Sequence, residues 1–337
     1  MDKSFLKKAP TEQMKALLRS VASADHAEAR LAMSQVAVAL TLPLQQGIFN
    51  GNIFQGIFEA IKFEPGVSIE MPYDFISPGT ERNFVAYVVP RTGGLPEKAV
   101  EGECVTIPMY EIAASLDWTM KYMRDARWDI VGRALQVLEA MLLRKMNTDA
   151  WRVLLAAGKN RNLMAYDPAA VAGQFSKGLL AAGEVTFRRN SGGNSASLNR
   201  GKLTNLFISP ESKADMFSWN LSEVPDTVRT KIFNEGSLAR IMDVEISALD
   251  ELGVGQEFDK YFTDILGGTI SGSKLELGVG LDLQTNATGS RFVMPYRQMP
   301  EAKERLYLQD TRRVGIQAFA EIGFSVLDNR GVLLFAI

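Results

Sequence analysis

The longest helical pattern in the sequence runs from about Arg127 to Ala157, and Gly158 is predicted to end it. Its apolar residues recur at the spacing of one helix face: Val131, Leu135, Leu138, Leu142, Met146 and Val153. About thirty residues at 1.5 Å each make a rod on the order of 45 Å, well above the mean helix length. Such a helix spans a whole domain and needs a sheet or other helices along most of its length. A shorter helix is predicted just before it, from about Tyr110 to Asp125.

The N-terminal segment, residues 1–45, reads as an arm that contains one more helix. Asp25 and Glu28 form a capping box, which predicts that a helix begins there. Four residues then follow one helical face until Pro43 is expected to stop the helix: Leu31, Gln35, Val38 and Leu42. The first twenty residues carry five basic and two acidic side chains. A solvated face is the plain interpretation of that charge.

Residues 66–109 change to a β pattern. Alternation predicts strands in Val67–Met71 and Asn83–Val89, and Cys104–Ile107 offers a returning strand. Between the last two lies Pro90–Lys98, which is rich in turn-forming residues. A two-stranded ribbon of this kind is marginal in water by itself. It therefore needs a partner surface, in this chain or in another.

The rest of the chain mixes short elements. Predicted helices run from Asp167-Pro168 to about Leu180, from the cap Ser209 onward, and from Asp226 to Phe233. Predicted strands are Leu203–Ile208, Ile241–Ile246, Val314–Ile322, Phe324–Leu327 and Val332–Ile337. Loops are predicted at Gly192–Asn194 and Gly278–Gly280, and a turn at Asp328–Gly331. Because helices and strands are intermixed without a regular alternation, the fold class is predicted to be α+β.

Net charge, cysteine content and hydropathy exclude several classes of protein. The net charge is -2, from 37 basic and 39 acidic side chains, whereas a protein that grips phosphate backbones widely carries a basic excess. Cys104 is the one cysteine, so no intramolecular disulfide forms, which fits a reducing compartment such as a bacterial cytoplasm. The most apolar stretch, Leu31–Leu44, is too short and too interrupted to span a membrane.

The motifs of catalysis are missing from the sequence. His26 is the only histidine and sits at a helix start, which favours a solvated or capping role over a triad. Cys104 is best interpreted as a small buried apolar residue. The carboxylates of Asp243 and Glu245 share a strand face, but surface charge is their default role. We therefore predict no catalytic residue, no cofactor and no metal site. Acidic residues distant in sequence still leave one alternative, a soluble α+β enzyme that uses carboxylates.

Two stretches carry a resemblance to a known family. Cys104–Ala114, which continues into Asp125–Val131, is similar to a return strand that passes into a spine helix. Asp310–Ile316 and Ile322–Arg330 resemble closing strands that end in an Asp-x-Arg turn. Together with the order of elements, these stretches resemble the HK97-fold major capsid proteins of tailed bacteriophages. The resemblance covers nearly the whole chain, mainly as architecture.

The resemblance implies a division of the chain. Its expected parts are an N-terminal arm (1–45), a P-domain with the spine helix (46–65 and 110–162), an E-loop (66–109), an A-domain (163–304) and C-terminal P-domain strands (305–337). The E-loop is expected to lie across a neighbouring subunit. The expected inter-subunit contacts are Arg82, Phe84, Arg91, Lys98 and Glu101.

The same resemblance implies a set of partners. The subunit is expected to form pentamers and hexamers of an icosahedral head in the virion, assembled in the host bacterial cytoplasm. Many relatives begin with a long scaffolding segment, whereas this chain starts almost at the arm, so a separate scaffolding protein or a trimmed precursor is implied. A portal and a cement or decoration protein are further expected partners, and packaged double-stranded DNA is expected to meet only the inner surface, weakly. The alternatives are an encapsulin-type nanocompartment shell, the enzyme above, and another phage structural protein such as a tail or decoration protein.

Overall fold

The structure is a computed structural model that describes residues 12–23, 25–51, 54–72, 104–190, 201–219, 241, 243–270, 276–284, 290–305 and 312–337. The helices are α1 (Glu12–Val21), α2 (His26–Gly51), α3 (Met120–Arg124), α4 (Trp128–Arg161), α5 (Lys177–Asn190), α6 (Pro210–Ser218) and α7 (Glu257–Lys260). The strands are β1 (Glu59–Lys62), β2 (Glu70–Pro72), β3 (Cys104–Thr106), β4 (Tyr110–Thr119), β5 (Met164–Tyr166), β6 (Asn205–Ile208), β7 (Glu245–Ala248), β8 (Leu277–Leu281), β9 (Phe292–Glu304), β10 (Arg313–Ile322), β11 (Ser325–Val326) and β12 (Val332–Ala336). Single turns of other helix types lie at Phe54–Gly56, Tyr261–Ile265 and Asn329–Gly331.

The described residues fall into two compact units. Unit 1 lies within Met1–Ile69, Ile107–Ala150 and Met294–Phe324. Unit 2 lies within Glu70–Thr106, Trp151–Val293 and Ser325–Ile337. The mixture of helices with mixed sheets confirms the predicted α+β class.

Helix α4 is the predicted long helix, and it is longer than the sequence pattern indicated. It has 34 residues, about 51 Å at the standard rise. Its buried side is formed by Val131, Leu135, Leu138, Leu142, Met146, Ala150 and Leu154. Gly158 does not end the helix. A Cβ atom at Gly158 would come within 2.8 Å of the Leu334 side chain, so the glycine serves close packing against β12.

Unit 1 is built on an antiparallel sheet in the order β1-β9-β10-β4. Strands β4 and β10 pair over their full lengths, from Arg313 opposite Thr119 to Ile322 opposite Tyr110. The prediction of a helix from Tyr110 to Asp125 was therefore wrong for its first ten residues. Alternate side chains of β4 are buried, among them Ile112, Ala114 and Trp118, so the strand pairing outweighed a stretch that looked helical.

Helix α2 lies along β9 in unit 1 and is held there by polar contacts. The Thr41 hydroxyl donates to the Ala302 carbonyl at 3.4 Å, and the Gln45 amide donates to the Pro300 carbonyl at 3.1 Å. The predicted start is confirmed, because Asp25 accepts a hydrogen bond from the Ala27 N–H at 2.9 Å. The predicted stop at Pro43 was wrong. The helix continues to Gly51 because the apolar side that includes Leu44 and Ile48 is buried.

Unit 2 contains a mixed sheet in the order β5-β12-β8-β6-β7. The prediction of a loop at Gly278–Gly280 was wrong, because these glycines lie within β8. A Cβ atom at Gly280 would sit 2.6 Å from the Phe335 ring and 2.7 Å from Leu203. The glycines therefore permit close contact between the strand and the side chains that cover it. In the sequence alone the same glycines look like a turn signal.

Three other predicted elements in unit 2 can be compared with the structure. The cap at Ser209 is confirmed, since its hydroxyl accepts from the Ser212 N–H at 3.0 Å. The helix predicted from Asp167 to about Leu180 was wrong in its start: the Asp167 carboxylate accepts from the Ala169 N–H in a turn, and α5 begins at Lys177. The predicted strand Ile241–Ile246 begins instead at Glu245. The helix predicted at Asp226–Phe233 and the loop at Gly192–Asn194 lie outside the described residues.

We predict that Gly280→Ala lowers the free energy of unfolding by about 2 kcal/mol, because the added methyl group overpacks a fully buried site. Urea denaturation of unassembled subunits measures this change. Gly56→Ala is the matched control, since no atom lies within 4 Å of its Cβ position, and it should stay within about 0.5 kcal/mol of wild type. Equal stability of the two variants would contradict the packing described for β8.

Candidate functional site

The base of the predicted β-ribbon is present in the structure. Strands β2 and β3 pair antiparallel, with Glu70 opposite Thr106 and Pro72 opposite Cys104. The returning strand predicted at Cys104 is therefore confirmed. The five predicted inter-subunit contacts fall within residues 73–103, outside the described residues, and stay predictions: Arg82, Phe84, Arg91, Lys98 and Glu101.

The residues that flank the ribbon base on either side in the sequence lie in unit 1 and are held there. Ile69 and Ile107 are buried, and the Ile107 N–H donates to the Ile69 carbonyl at 3.1 Å. Gly323 is required beside them, because a Cβ atom there would lie 2.7 Å from the Pro108 carbonyl oxygen. These contacts fix the two chain segments that lead into the ribbon.

Arg297 makes further contacts with the segment that precedes β2. Arg297 donates to the Val67 carbonyl at 3.2 Å and to the Glu321 carboxylate at 2.8 Å. It thereby ties the segment before β2 to strands β9 and β10.

The Asp-x-Arg turn of the sequence forms a buried ionic cluster in unit 2. The Arg330 guanidinium donates to Asp328 at 2.8 Å, and the Arg291 guanidinium pairs with both Asp328 and Asp282. Arg161 of α4 donates to the Arg330 carbonyl at 3.0 Å, and burial lowers the pKa of Arg161 to about 10. Charges as buried as these need close partners, so the cluster fixes the entry to β12.

A pair of buried carboxylates in unit 2 was not foreseen. Glu276 accepts hydrogen bonds from the hydroxyl groups of Ser209, at 2.5 Å, and Ser212, at 2.8 Å. Both carboxylate oxygens of Asp259, on α7, are buried and accept no hydrogen bond among the described residues. Burial raises the pKa of Asp259 to about 7, and the charge of Glu276 adds to the effect. Because seventeen positions separate the two acids, no local spacing could reveal them.

This pair is the strongest observation for the carboxylate enzyme alternative, so its setting matters. Asp259 and Glu276 are each 5% exposed. Within the part of the chain that the structure describes, no three His, Cys, Asp or Glu residues are placed to hold a metal ion. Asp243 and Glu245, the other candidates, lie at the surface, where Asp243 pairs with Lys202. The buried pair fits a structural role inside unit 2.

The remaining sequence candidates are located as follows. His26 is the first residue of α2, as expected for a helix start. Cys104 is in β3, opposite Pro72. No described helix is long and apolar enough to cross a membrane.

Comparison with known proteins gives likenesses only to solved structures. No family profile and no curated protein matches the chain. A structure from Microbacterium phage Oxtober96 matches with a TM-score of 0.55 at 12% identity, covering 85% of this chain and 91% of that one. The capsid asymmetric unit of cyanophage Pam1 matches with a TM-score of 0.52 at 13% identity, covering 83% and 87%. The asymmetric unit of the mature capsid of bacteriophage PhiM1 matches with a TM-score of 0.52 at 11% identity, covering 85% and 87%.

The raised pKa of Asp259 predicts a specific pH dependence of stability. The folded subunit holds a proton that the unfolded chain, with a carboxyl pKa near 4, releases as the pH rises from about 4 to about 7. The free energy of unfolding should therefore fall over that window. Asp259→Asn removes the ionisable group, so between pH 5 and 8 it should lose about 2–3 kcal/mol less than wild type does.

Urea denaturation of unassembled subunits at several pH values measures the difference. The exposed Asp250→Asn is the control for removing one negative charge, and it should keep the wild-type pH dependence. Parallel curves for wild type and Asp259→Asn would show that Asp259 is not a buried acid.

Proposed function

Because the chain has the HK97-like capsid fold, we propose that it is a phage major capsid protein that assembles into pentamers and hexamers of an icosahedral head around double-stranded DNA. The observation that carries the proposal is the extent of the likeness. The three phage structures each cover more than four-fifths of this chain, and two of them are described as capsid asymmetric units.

The proposed parts of the subunit follow the sequence division. Residues 1–45 would be the arm, residues 66–109 the E-loop, residues 163–304 the A-domain, and the rest the P-domain. Two strands cross these bounds: β9, within 163–304, pairs in the sheet of unit 1, and β12, within 305–337, pairs in the sheet of unit 2. The antiparallel pairing of β2 with β3 at the base of this segment supports the E-loop assignment. Its contacts would be Arg82, Phe84, Arg91, Lys98 and Glu101.

Assembly would depend on many modest contacts. Each subunit held by several neighbours gains by multivalency, so single contacts need not be strong. Closed point-group symmetry then limits the size of the particle. In this proposal the subunit has no catalytic role and needs no cofactor.

The proposed partners are those of a phage head. A separate scaffolding protein or processing of a precursor would guide assembly in the bacterial cytoplasm, and a portal and a cement or decoration protein would join the shell. A net charge of -2 supports only weak contact between the inner surface and packaged DNA. An inward-facing N-terminal arm, with its local basic excess, would be the place of that contact.

Electron microscopy of the expressed protein tests the proposal. We expect shells, tubes or capsomer rings at high protein concentration. A monomer at every concentration, with and without lysate from phage-infected cells to supply a scaffold, would contradict it. Particles that enclose a cargo protein instead of a genome with portal and tail would assign the fold to an encapsulin-type compartment.

Deletion of residues 91–101 tests the role of the E-loop. We expect a folded subunit whose yield of stable shells falls by roughly tenfold or more, because one of its several contacts is lost. Replacing the same residues with a Gly/Ser segment of equal length is the matched control for chain length, and it should fail similarly. Circular dichroism checks folding, and sedimentation measures shells. Normal shells from both variants would refute the role.

A further inference from the structure

Most of helix α2 lies in a long stretch of the sequence without charged residues. From Leu31 to Phe58 the chain contains no Asp, Glu, Lys or Arg residue. Most surface helices carry charged residues on the side away from the core, whereas a helix that is uncharged and apolar all round is normally buried on all sides. From Leu31 onward, α2 therefore has a composition typical of a helix that is covered by protein on both sides.

One side of α2 is covered within unit 1. Met33, Val36, Leu40, Leu44 and Ile48 are each at most 6% exposed. This side is buried within unit 1.

The opposite side of α2 is exposed, carries no charge from Leu31 onward and is mostly apolar. Leu31 is 62% exposed, Val38 is 73% exposed and Leu42 is 62% exposed, and Gln35 between them is exposed too. We call these four residues the outer stripe. They are spaced by four, three and four residues, which is the spacing of a coiled-coil seam. Single exposed apolar residues are common, but an aligned row marks a contact surface.

We propose that the outer stripe packs against the outer stripe of a second copy of this chain, as a two-fold contact between subunits of the shell. The inference rests on the proposed capsid function and adds a specific contact to it. Two identical stripes are complementary because neither carries a charge that the other would have to bury. A nucleic acid would instead require basic side chains, which the stripe lacks.

The size of the stripe indicates when the contact forms. Its exposed apolar surface is on the order of a few hundred Å² per helix, below the roughly 1,200 Å² that a stable independent dimer buries in total. The contact should therefore form only where other contacts already hold the subunits together. A contact between identical surfaces lies on a two-fold axis, whereas contacts around a ring join different surfaces. The stripe would thus join subunits of neighbouring capsomers.

Site-specific cross-linking tests the pairing. In a Cys104→Ser background, Gln35→Cys or Val38→Cys places one thiol near the middle of the stripe, where two antiparallel copies meet themselves. Oxidised shells should give a dimer band on a non-reducing gel for at least one of the two, because disulfides form only when the Cα atoms are within about 7 Å. Leu31→Cys should cross-link to itself only if the helices are parallel. Exposed Glu64→Cys, which is in unit 1 but not part of the stripe, should give monomer.

A charge in the stripe tests its importance. Val38→Lys should lower shell yield by roughly tenfold or more, because assembly would bury two like charges. Val38→Thr, similar in shape and uncharged, should assemble as wild type. Since Val38 is exposed, both variants should fold, which circular dichroism checks.

The outcomes separate this contact from the capsid function. Absence of any assembly by the wild type would defeat the capsid function. Wild-type shells with normal Val38→Lys assembly and no stripe cross-link would defeat the pairing and leave the capsid function standing. Impaired Val38→Lys shells without any stripe cross-link would also defeat the pairing, because they would assign the stripe to a different partner, such as a scaffolding protein or another segment of the chain.

Discussion

Burial of the apolar side of α4 is the constraint on which the rest of the structure depends. A helix of 34 residues cannot leave such a side in water, so each unit includes part of it in its core. In unit 1 these are residues such as Leu138 and Leu142. In unit 2 the helix provides Trp151, whose ring packs edge-on against Phe207 with centroids 4.8 Å apart, and Gly158, which admits Leu334.

The buried charged groups described in unit 2 are stabilised in three ways. Asp282, Arg291, Asp328 and Arg330 pair closely with one another, Glu276 accepts hydrogen bonds from two serine hydroxyls, and burial shifts Asp259 toward the neutral form. These buried groups hold the ends of β8 and β12 and the loops around α7. Their enclosure is better suited to holding a fold together than to meeting a substrate.

The surface follows a different rule, which fits the proposed shell. The outer stripe of α2 has no charges to favour water over protein, and it leaves apolar surface uncovered in one subunit. The ribbon predicted for residues 66–109 is of a kind that is marginal in water by itself. A subunit designed to be surrounded by copies of itself has a physical use for such surface, because each modest contact adds to the others.

The sequence by itself determined the α+β class, the long helix, the cap at Ser209, the closing strands and the order of elements that resembles a capsid protein. Local periodicity and capping chemistry are sufficient for these. Only the tertiary structure decided that Tyr110–Thr119 is a strand, that Gly278–Gly280 lies in a sheet and that Pro43 does not end α2. At those places pairing with β10, close approach of Phe335 and burial against unit 1 outweigh local preference. The same reason applies to Asp259 and Glu276, since a site built from distant residues exists only after folding has brought them together.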